Sequence, residues 1–329
     1  MNVDGFVFCG RMKERRRMVL RHFAAALVLA VLAPALVLVY HVFRAPTGSV
    51  RDYRTLTRNQ RQGKTVVACL GDSHTHGFLG ADWVSALREM AGGSEACLRR
   101  FRRSTRMCST HIFVNAGENA NLAWNVNRRL QPVLDMFPDA AVVLIGSNDV
   151  MGSFSGEAGK QYVKIMKLPQ QPSREFFRTS LRGILSRLQA RGVARRAVLT
   201  LPPLGENPHS RINEIVADFN GDIMAIATET NTTVLDLHER LWAGIRAHNG
   251  DKPPADAGGP LEAVAWDWRR TGPMISAVYQ RYLGWQTWDA IADVNGLVMT
   301  SDRVHLSSRG GAVLQGLVAD FVGLHPRAE

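Results

Sequence analysis

Five short apolar runs restrict most strongly what this 329-residue chain can fold into. They lie at 65–70, 112–115, 140–145, 197–201 and 233–237. Each run is apolar almost throughout rather than at alternate positions, which is typical of strands that are covered on both faces in a parallel sheet. Stretches with helical periodicity separate the runs. This order predicts a three-layer α/β/α sandwich around a five-stranded, mainly parallel sheet.

Helices are predicted between the strand runs. Apolar residues recur at three- and four-residue spacing in 122–134 and 177–188, and further helices are predicted near 210–229 and at about 307–323. Residues 240–296 break this rhythm, because they contain Pro- and Gly-rich stretches and five of the seven tryptophans. We interpret 65–329 as one domain with a Trp-rich insertion at about 240–296. The insertion is expected to form a small core of its own, or to offer a flat platform to an acyl chain or a glycan.

The formal net charge of +11 is concentrated near the amino terminus. The first 65 residues hold twelve basic and three acidic side chains, a net charge of +9, so the remaining sequence has an ordinary charge balance. The basic excess is confined to the flanks of an apolar run and is not spread over a folded surface. A nucleic-acid partner is therefore disfavoured.

The apolar run covers 23–43 and contains twenty-one residues without a formal charge. As a helix it would span about 30 Å, the thickness of a hydrocarbon core. Six basic residues between Arg11 and Arg21 place 1–22 in the cytoplasm and the main domain outside it, in the periplasm if the organism is a Gram-negative bacterium. A cleavable signal peptide is the alternative, but it would have a shorter apolar region that ends in a small-x-small site. We therefore expect a single-pass membrane anchor, followed by a polar stalk at 44–64.

Two of the four cysteines would lie outside the cytoplasm and close together in sequence. Cys97 and Cys108 could form a disulfide in an oxidising compartment or remain free thiols. Cys9 precedes the anchor, and Cys69 lies within the first strand run. The spacing of the cysteines does not decide between a disulfide and free thiols.

Polar segments follow three of the strand runs. The first run leads into Gly-Asp-Ser-His-Thr at 71–75, the second ends in Asn-Ala-Gly at 115–117, and the third leads into Gly-Ser-Asn-Asp at 146–149. A fourth segment, Asp-Arg-Val-His at 302–305, precedes the last helix. Ligands of open α/β sheets bind at the carboxyl ends of the strands. We therefore expect the four segments to meet in one site.

These segments contain the groups that a serine hydrolase requires. Ser73 is the candidate nucleophile, His305 is the base that would accept its proton, and Asp302 would orient the imidazole. The backbone N–H groups of Ser73 and Gly117 and the side-chain amide of Asn148 are candidate donors of an oxyanion hole. Serine is a weak nucleophile without a base, so these roles depend on one another.

In order and spacing, the four segments resemble the conserved blocks of the SGNH (GDSL-type) hydrolase superfamily. The family patterns are Gly-Asp-Ser-x-Thr, a glycine after a strand, Gly-x-Asn-Asp and Asp-x-x-His. The resemblance covers residues 65–323 and implies a flavodoxin-like fold and a carboxylic ester hydrolase activity. It also implies the roles given above for Ser73, Gly117, Asn148, Asp302 and His305.

Two positions depart from the family pattern. His74 stands where leucine or a small residue is frequent, and Ala120 stands where the family often has a second glycine. Together with Asp72 and His76, His74 raises the alternative of a metal-dependent phosphoesterase. The further ligand segments of such enzymes are missing from the sequence, so we predict neither a metal nor a cofactor.

The sequence thus predicts a membrane-anchored serine esterase that hydrolyses acyl or acetyl esters. The substrate would be a lipid, an acylated glycan or a small ester. An O-acyltransferase would use the same residues and remains an alternative. A non-catalytic protein that binds a polymer of the cell envelope is the second alternative, because the fold could present a groove without a working triad.

Overall fold

The computed structural model describes residues 40, 44–92, 109–250 and 268–324. Apart from Tyr40, the predicted anchor at 23–43 lies outside the described residues, as do Cys97 and Cys108. The chain divides between Arg44 and Ala45 into an amino-terminal unit and a larger unit that holds the sheet. Among the helices of the described residues, none is long and apolar enough to cross a membrane.

Five parallel strands form the centre of the larger unit. They are β1 (Thr65–Gly71), β2 (His111–Gly117), β3 (Ala140–Leu144), β4 (Arg195–Leu199) and β5 (Thr233–Leu235), in the order β2-β1-β3-β4-β5. All four pairings are parallel, which confirms the predicted sheet. The register aligns Gly71 with Gly117 on one side and with Leu144 on the other. The carboxyl ends of β1, β2 and β3 therefore lie side by side.

Helices cover both faces of this sheet. Those of the larger unit that fall within the described residues are α1 (Val50–Arg54), α2 (Arg58–Arg61), α3 (Ser73–His76), α4 (Trp83–Met90), α5 (Ala123–Arg128), α6 (Gln131–Leu134), α7 (Ser147–Ser153), α8 (Gly156–Met166), α9 (Arg174–Ala190), α10 (Arg211–Glu229), α11 (Leu237–Asn249), α12 (Trp268–Tyr282), α13 (Trp288–Val294) and α14 (Ser308–Val322). The predicted helices at 177–188, near 210–229 and at 307–323 correspond to α9, α10 and α14.

Successive residues of β1 alternate between two core layers. Ala68 and Leu70 lie in a cluster with residues of α5, α9 and α10. Val67 and Cys69 lie in a second cluster with residues of α4, α11 and α14. Side chains of a strand point alternately to opposite faces, so a strand covered on both faces has apolar residues at every position. This explains the continuous apolar character of the run and confirms the three layers.

The predicted helix at 122–134 is divided into α5 and α6. Proline has no backbone N–H and is tolerated only in the first turn of a helix. Pro132 lies in the first turn of α6, directly after the loop at Arg129 and Leu130. The apolar periodicity continues across this break, because Val126 and Val133 are buried in the same core layer.

The stretch 44–64, predicted as a polar stalk, differs in the structure. Ser49 forms a parallel bridge with Asn115 of β2 and caps α1, and the ring of Tyr53 is buried in the core. A single aromatic residue among charged ones gives no helical or strand periodicity, so the sequence does not predict the burial of Tyr53. Its burial depends on the surface that β2 and its neighbouring helices provide. Much of the predicted stalk is therefore part of the domain.

The Trp-rich stretch at 240–296 also differs from the prediction, but only in part. Its first residues belong to α11, whose Leu241, Trp242 and Ile245 pack in the main core. Helices α12 and α13 share a small core of their own, which includes Trp288 and Ile291. The insertion therefore begins after α11, and within it Trp288 lies in the small core whereas Trp285 is exposed.

Leu181→Ala is expected to lower the free energy of unfolding by about 2–5 kcal/mol, because it leaves a cavity in a fully buried site on α9. Ile165→Ala on α8 is the matched control, since Ile165 is half exposed and its truncation should change stability by less than about 0.5 kcal/mol. Urea unfolding followed by circular dichroism measures both. Equal losses of unfolding free energy for the two variants would contradict the placement of Leu181 in the core layer of α9.

Candidate active site

The turn between β1 and α3 positions Ser73. Asp72 is the N-cap of α3, where its Oδ1 accepts the backbone N–H of His74 at 2.9 Å. A Cβ at Gly71 would lie 2.3 Å from the carbonyl oxygen of Leu144, so only glycine permits this approach of β1 to β3. Ser73 is consequently the first residue of α3 and lies at the rim of the sheet, largely buried.

The loop before α14 presents the imidazole of His305. Asp302 Oδ1 accepts the backbone N–H groups of Val304 at 3.0 Å and His305 at 2.7 Å, which closes the loop on itself. Asp302 Oδ2 lies 2.7 Å from His305 Nδ1, and His305 Nε2 lies 2.9 Å from Ser73 Oγ. A neutral imidazole that donates from Nδ1 accepts at Nε2. The geometry therefore suits transfer of the Ser73 proton to His305.

The electrostatic setting favours a charged Asp302. Burial alone would raise the pKa of its carboxyl group, but the imidazole of His305 and the hydrogen bonds from His305 and Val304 outweigh burial and hold the pKa below its usual value. A charged carboxylate stabilises the imidazolium that forms when His305 accepts a proton. The environment of Asp302 thus favours acceptance of a proton by His305.

Gly117 lies at the expected place but does not offer a free donor. Its backbone N–H donates to Asn115 Oδ1 at 2.9 Å. A Cβ at Gly117 would lie 2.3 Å from the backbone nitrogen of His76, so the residue packs directly against α3. The Asn115 side chain is held in turn, because its Nδ2 donates to the carbonyl oxygen of Thr75 at 2.7 Å. This differs from the predicted oxyanion role, and Gly117 instead permits close packing of β2 on α3.

Ala120 carries the N–H that is available in this loop. It occupies a turn that the N–H of Asn121 closes on the carbonyl oxygen of Glu118 at 3.3 Å, and its φ of 61° is left-handed. Within the described ranges, the N–H of Ala120 has no hydrogen-bond acceptor. Glycine is favoured at such a φ. Ala120 stands where the family pattern often has a second glycine. This departure from the pattern is the signal in the sequence that points to Ala120.

Asn148 lies in the first turn of α7, beside Asp72. Its Nδ2 donates to the carbonyl oxygen of Asn121 at 3.0 Å and to Asp72 Oδ2 at 3.3 Å. Its Oδ1 accepts the hydroxyl of Tyr162 at 2.8 Å. Asn148 is thus linked through Asp72 to the turn that carries Ser73, whose hydroxyl contacts His305.

His74 is a buried neutral group next to His305. Its ring centroid lies 5.6 Å from that of His305, and burial lowers its pKa to about 3. Neither of its ring nitrogens has a hydrogen-bond partner among the residues that the structure describes. A search of the same residues finds no group of three or more His, Cys, Asp or Glu side chains that could hold a metal ion.

Two residues of this region were not predicted from the sequence. Tyr162 contacts Asn148 from α8, and no spacing or motif indicates it. Arg129 donates to the carbonyl oxygen of Gly71 at 3.0 Å and to Asn121 Oδ1 at 2.8 Å, which ties the loop of Ala120 to the end of β1. Both contacts depend on which helices cover the sheet. A single sequence does not contain that information.

A sequence model of the GDSL-like Lipase/Acylhydrolase family matches residues 69–264, which is more than half of the chain. The chain belongs to the GDSL-like lipase/acylhydrolase family. It is therefore a carboxylic ester hydrolase, as the motifs predicted. The matched region of this acylhydrolase includes Ser73 and Asn148 and ends before Asp302 and His305.

The fold of the acylhydrolase is similar to those of solved esterases. The acetyl xylan esterase AlAXEase is 17% identical, with a TM-score of 0.51, and the match covers 78% of this chain and 99% of that one. A catalytic mutant of Axe2, an acetylxylan esterase from Geobacillus stearothermophilus, is 17% identical, with a TM-score of 0.51 and coverage of 82% and 99%. At this identity the similarity concerns the fold. A search of curated proteins finds no match.

Asp149→Asn is expected to stabilise the acylhydrolase increasingly as the pH rises from 4 to 8. Burial, together with the nearby charge of Asp72, raises the pKa of Asp149 to about 8, well above its unfolded value of about 4. The protonated acid is thus favoured by folding, and its contribution, present below about pH 4, is lost as the pH rises through about 8. Asparagine keeps an acceptor for the N–H of Ala123 without a proton to lose.

Urea unfolding at pH 4, 6 and 8 measures this effect. The free-energy difference between variant and wild type should grow by more than about 1.4 kcal/mol across the range, which corresponds to one pKa unit. Asp320→Asn on the exposed side of α14 is the control and should give a constant difference. A constant difference for Asp149→Asn as well would contradict the buried protonated acid.

Proposed function

We propose that this acylhydrolase cleaves its ester through a triad of Ser73, His305 and Asp302. The observation that carries the proposal is the continuous contact from Ser73 Oγ to His305 Nε2 at 2.9 Å and from His305 Nδ1 to Asp302 Oδ2 at 2.7 Å. The serine and the histidine are 232 residues apart in sequence, so the contact is a product of the fold. All three side chains are largely buried, which strengthens their electrostatic coupling.

The triad would act in two half-reactions. In the first, Ser73 Oγ attacks the ester carbonyl carbon while His305 Nε2 takes the hydroxyl proton, and collapse of the intermediate breaks the bond to the alcohol, which leaves with that proton. In the second, His305 takes a proton from water, whose oxygen attacks the acyl carbon. Collapse then releases the acid and returns the proton to Ser73.

The negative oxygen of each tetrahedral intermediate requires hydrogen-bond donors. We assign this role to the backbone N–H of Ser73, the backbone N–H of Ala120 and the side-chain Nδ2 of Asn148. The first two have no acceptor in the ranges that the structure describes, which supports the assignment. Gly117 is not included, because its N–H donates to Asn115 Oδ1. Asn148 Nδ2 donates to the carbonyl oxygen of Asn121, the residue that follows Ala120. The donors on Asn148 and Ala120 therefore belong to one surface.

Ser73→Ala is expected to lower kcat for p-nitrophenyl acetate by at least about 10³-fold, because no other group would form the acyl-enzyme. Ser276→Ala, at an exposed serine on α12, is the matched control and should retain wild-type kcat. A fluorophosphonate should label the wild type and the control but not the Ser73 variant. Unchanged hydrolysis by Ser73→Ala would refute the triad.

The acyl group is tested in the same assay by lengthening the p-nitrophenyl ester from acetyl to dodecanoyl. Acetyl is the first probe, because the structural relatives named above are acetyl xylan esterases. A competing alcohol in the assay separates hydrolysis from acyl transfer, since a transferase would release a new ester in place of the free acid. Hydrolysis remains the expected result.

We also propose that residues 23–43 anchor the acylhydrolase in a membrane, with 1–22 in the cytoplasm and the catalytic domain on the other side. The support is the uncharged run of twenty-one residues and the dense basic cluster that precedes it. In a Gram-negative bacterium the domain would then face the periplasm. Esters of lipids or envelope glycans would be accessible to it there.

The full-length chain is expected in the membrane pellet after cell lysis, resistant to alkaline carbonate and released by detergent. A chain that begins at Ala45 should remain in the soluble fraction, since it lacks the apolar run while retaining the sheet-containing unit. Immunoblotting of both fractions measures the distribution. A full-length chain in the carbonate supernatant, or one shortened by cleavage near residue 43, would contradict the anchor.

A further inference from the structure

Tyr162 contacts the amide oxygen of the proposed oxyanion donor Asn148. The residue lies on α8, its side chain is almost completely buried, and its hydroxyl donates to Asn148 Oδ1 at 2.8 Å. The proposed mechanism does not use this hydroxyl. The contact joins α8 to Asn148, the group that is proposed to bind the reacting oxygen.

The amide of Asn148 is useful only in one orientation, because Nδ2 donates and Oδ1 accepts. The carbonyl oxygen of Asn121 accepts one Nδ2 hydrogen at 3.0 Å. The other Nδ2 hydrogen faces Asp72 Oδ2 at the longer distance of 3.3 Å. The contacts of Asn148 with Asn121 and Tyr162 therefore hold the amide. The contact with Asp72 is the weakest of the three and the easiest to exchange for a substrate oxygen.

The hydroxyl of Tyr162 supplies the contact on the oxygen end. Within the described part of the chain, no other group donates to Asn148 Oδ1. Without the hydroxyl, a buried carbonyl oxygen would lose its partner, which is unfavourable enough to drive the side chain toward another donor. Rotation of the amide would carry Nδ2 away from the position at which it meets the oxyanion.

We propose that Tyr162 is a positioning residue, which holds the Asn148 amide with its Nδ2 directed at the developing oxyanion. This role rests on the proposed function, since it requires Asn148 to be a donor in a serine esterase. Tyr162 does not touch the substrate. It acts by fixing the acceptor end of an amide whose donor end is used in the transition state, so its loss should affect turnover more than substrate binding.

Tyr162→Phe tests the proposal, because it removes one hydroxyl and retains the aromatic ring in the core. The kcat for p-nitrophenyl acetate should fall about 10-fold, less than the 10²–10³-fold expected for a lost oxyanion donor, while KM stays within about twofold. Tyr53→Phe on α1 is the matched control, since Tyr53 is also buried and the hydrogen bonds of Asn148 to described residues do not include it. It should leave both constants unchanged.

A double-mutant cycle with Asn148→Ala separates positioning from general loss of stability. If Tyr162 acts through Asn148, then Tyr162→Phe should cause no further loss of kcat in the Asn148→Ala background. Active sites are counted by fluorophosphonate titration, so that kcat refers to folded, reactive enzyme even if a variant is partly unfolded. A purely structural role would lower the number of titrated sites and leave kcat per site unchanged.

The outcomes are distinct. Wild-type kcat per site in Tyr162→Phe, or an equal loss from Tyr162→Phe with and without Asn148, would overturn the positioning role while leaving the triad intact. Hydrolysis by the wild type that does not depend on Ser73 would overturn the proposed function itself, and the positioning role with it. A tenfold loss of kcat that disappears in the Asn148→Ala background supports the proposal.

Discussion

The close approach of β1, β2 and β3 at their carboxyl ends is the constraint on which the rest of the site depends. Gly71 and Gly117 are neighbours in the register, and a Cβ at either would lie 2.3 Å from backbone atoms of β3 or α3. The absence of these side chains lets α3 begin directly above the sheet. Ser73 is therefore presented at the rim, where the loops that follow β2 and β3 can reach it.

The buried carboxyl groups of this region have different protonation properties although they share one sheet edge. Asp302 faces an imidazole and several donors, which together hold its pKa below the usual value despite burial. For Asp72, burial raises the pKa to about 6, against the opposing hydrogen bonds from His74 and Asn148. Asp149, whose carboxyl accepts one backbone N–H, is raised to about 8. The number of donors that the fold supplies decides which carboxyl is charged.

The fold layers and the triad candidates could be predicted because they depend on local patterns. Continuous apolar runs identified strands that are covered on both faces, and the segments at the ends of those strands contained Ser73, Asn148 and Gly117. The role of Gly117 could not be predicted from its position, because it depends on whether Asn115 turns its Oδ1 toward that N–H. Burial of Tyr53 and the contact of Tyr162 with Asn148 depend on how α1 and α8 pack in the fold, which no local pattern shows.

The sequence by itself determined Ser73, Asn148, Asp302 and His305 as candidate site residues, and it placed Ser73 and Asn148 at strand ends, since hydrophobic periodicity and short motifs are local properties. The tertiary structure decided which of these groups are free to act. The N–H of Gly117 donates to Asn115, 2 residues away, and is therefore not free for another acceptor. The hydroxyl of Tyr162, 14 residues from Asn148, donates to the amide oxygen of Asn148 and leaves its Nδ2 as the donor. Such competition between partners is resolved only when the helices pack on the sheet.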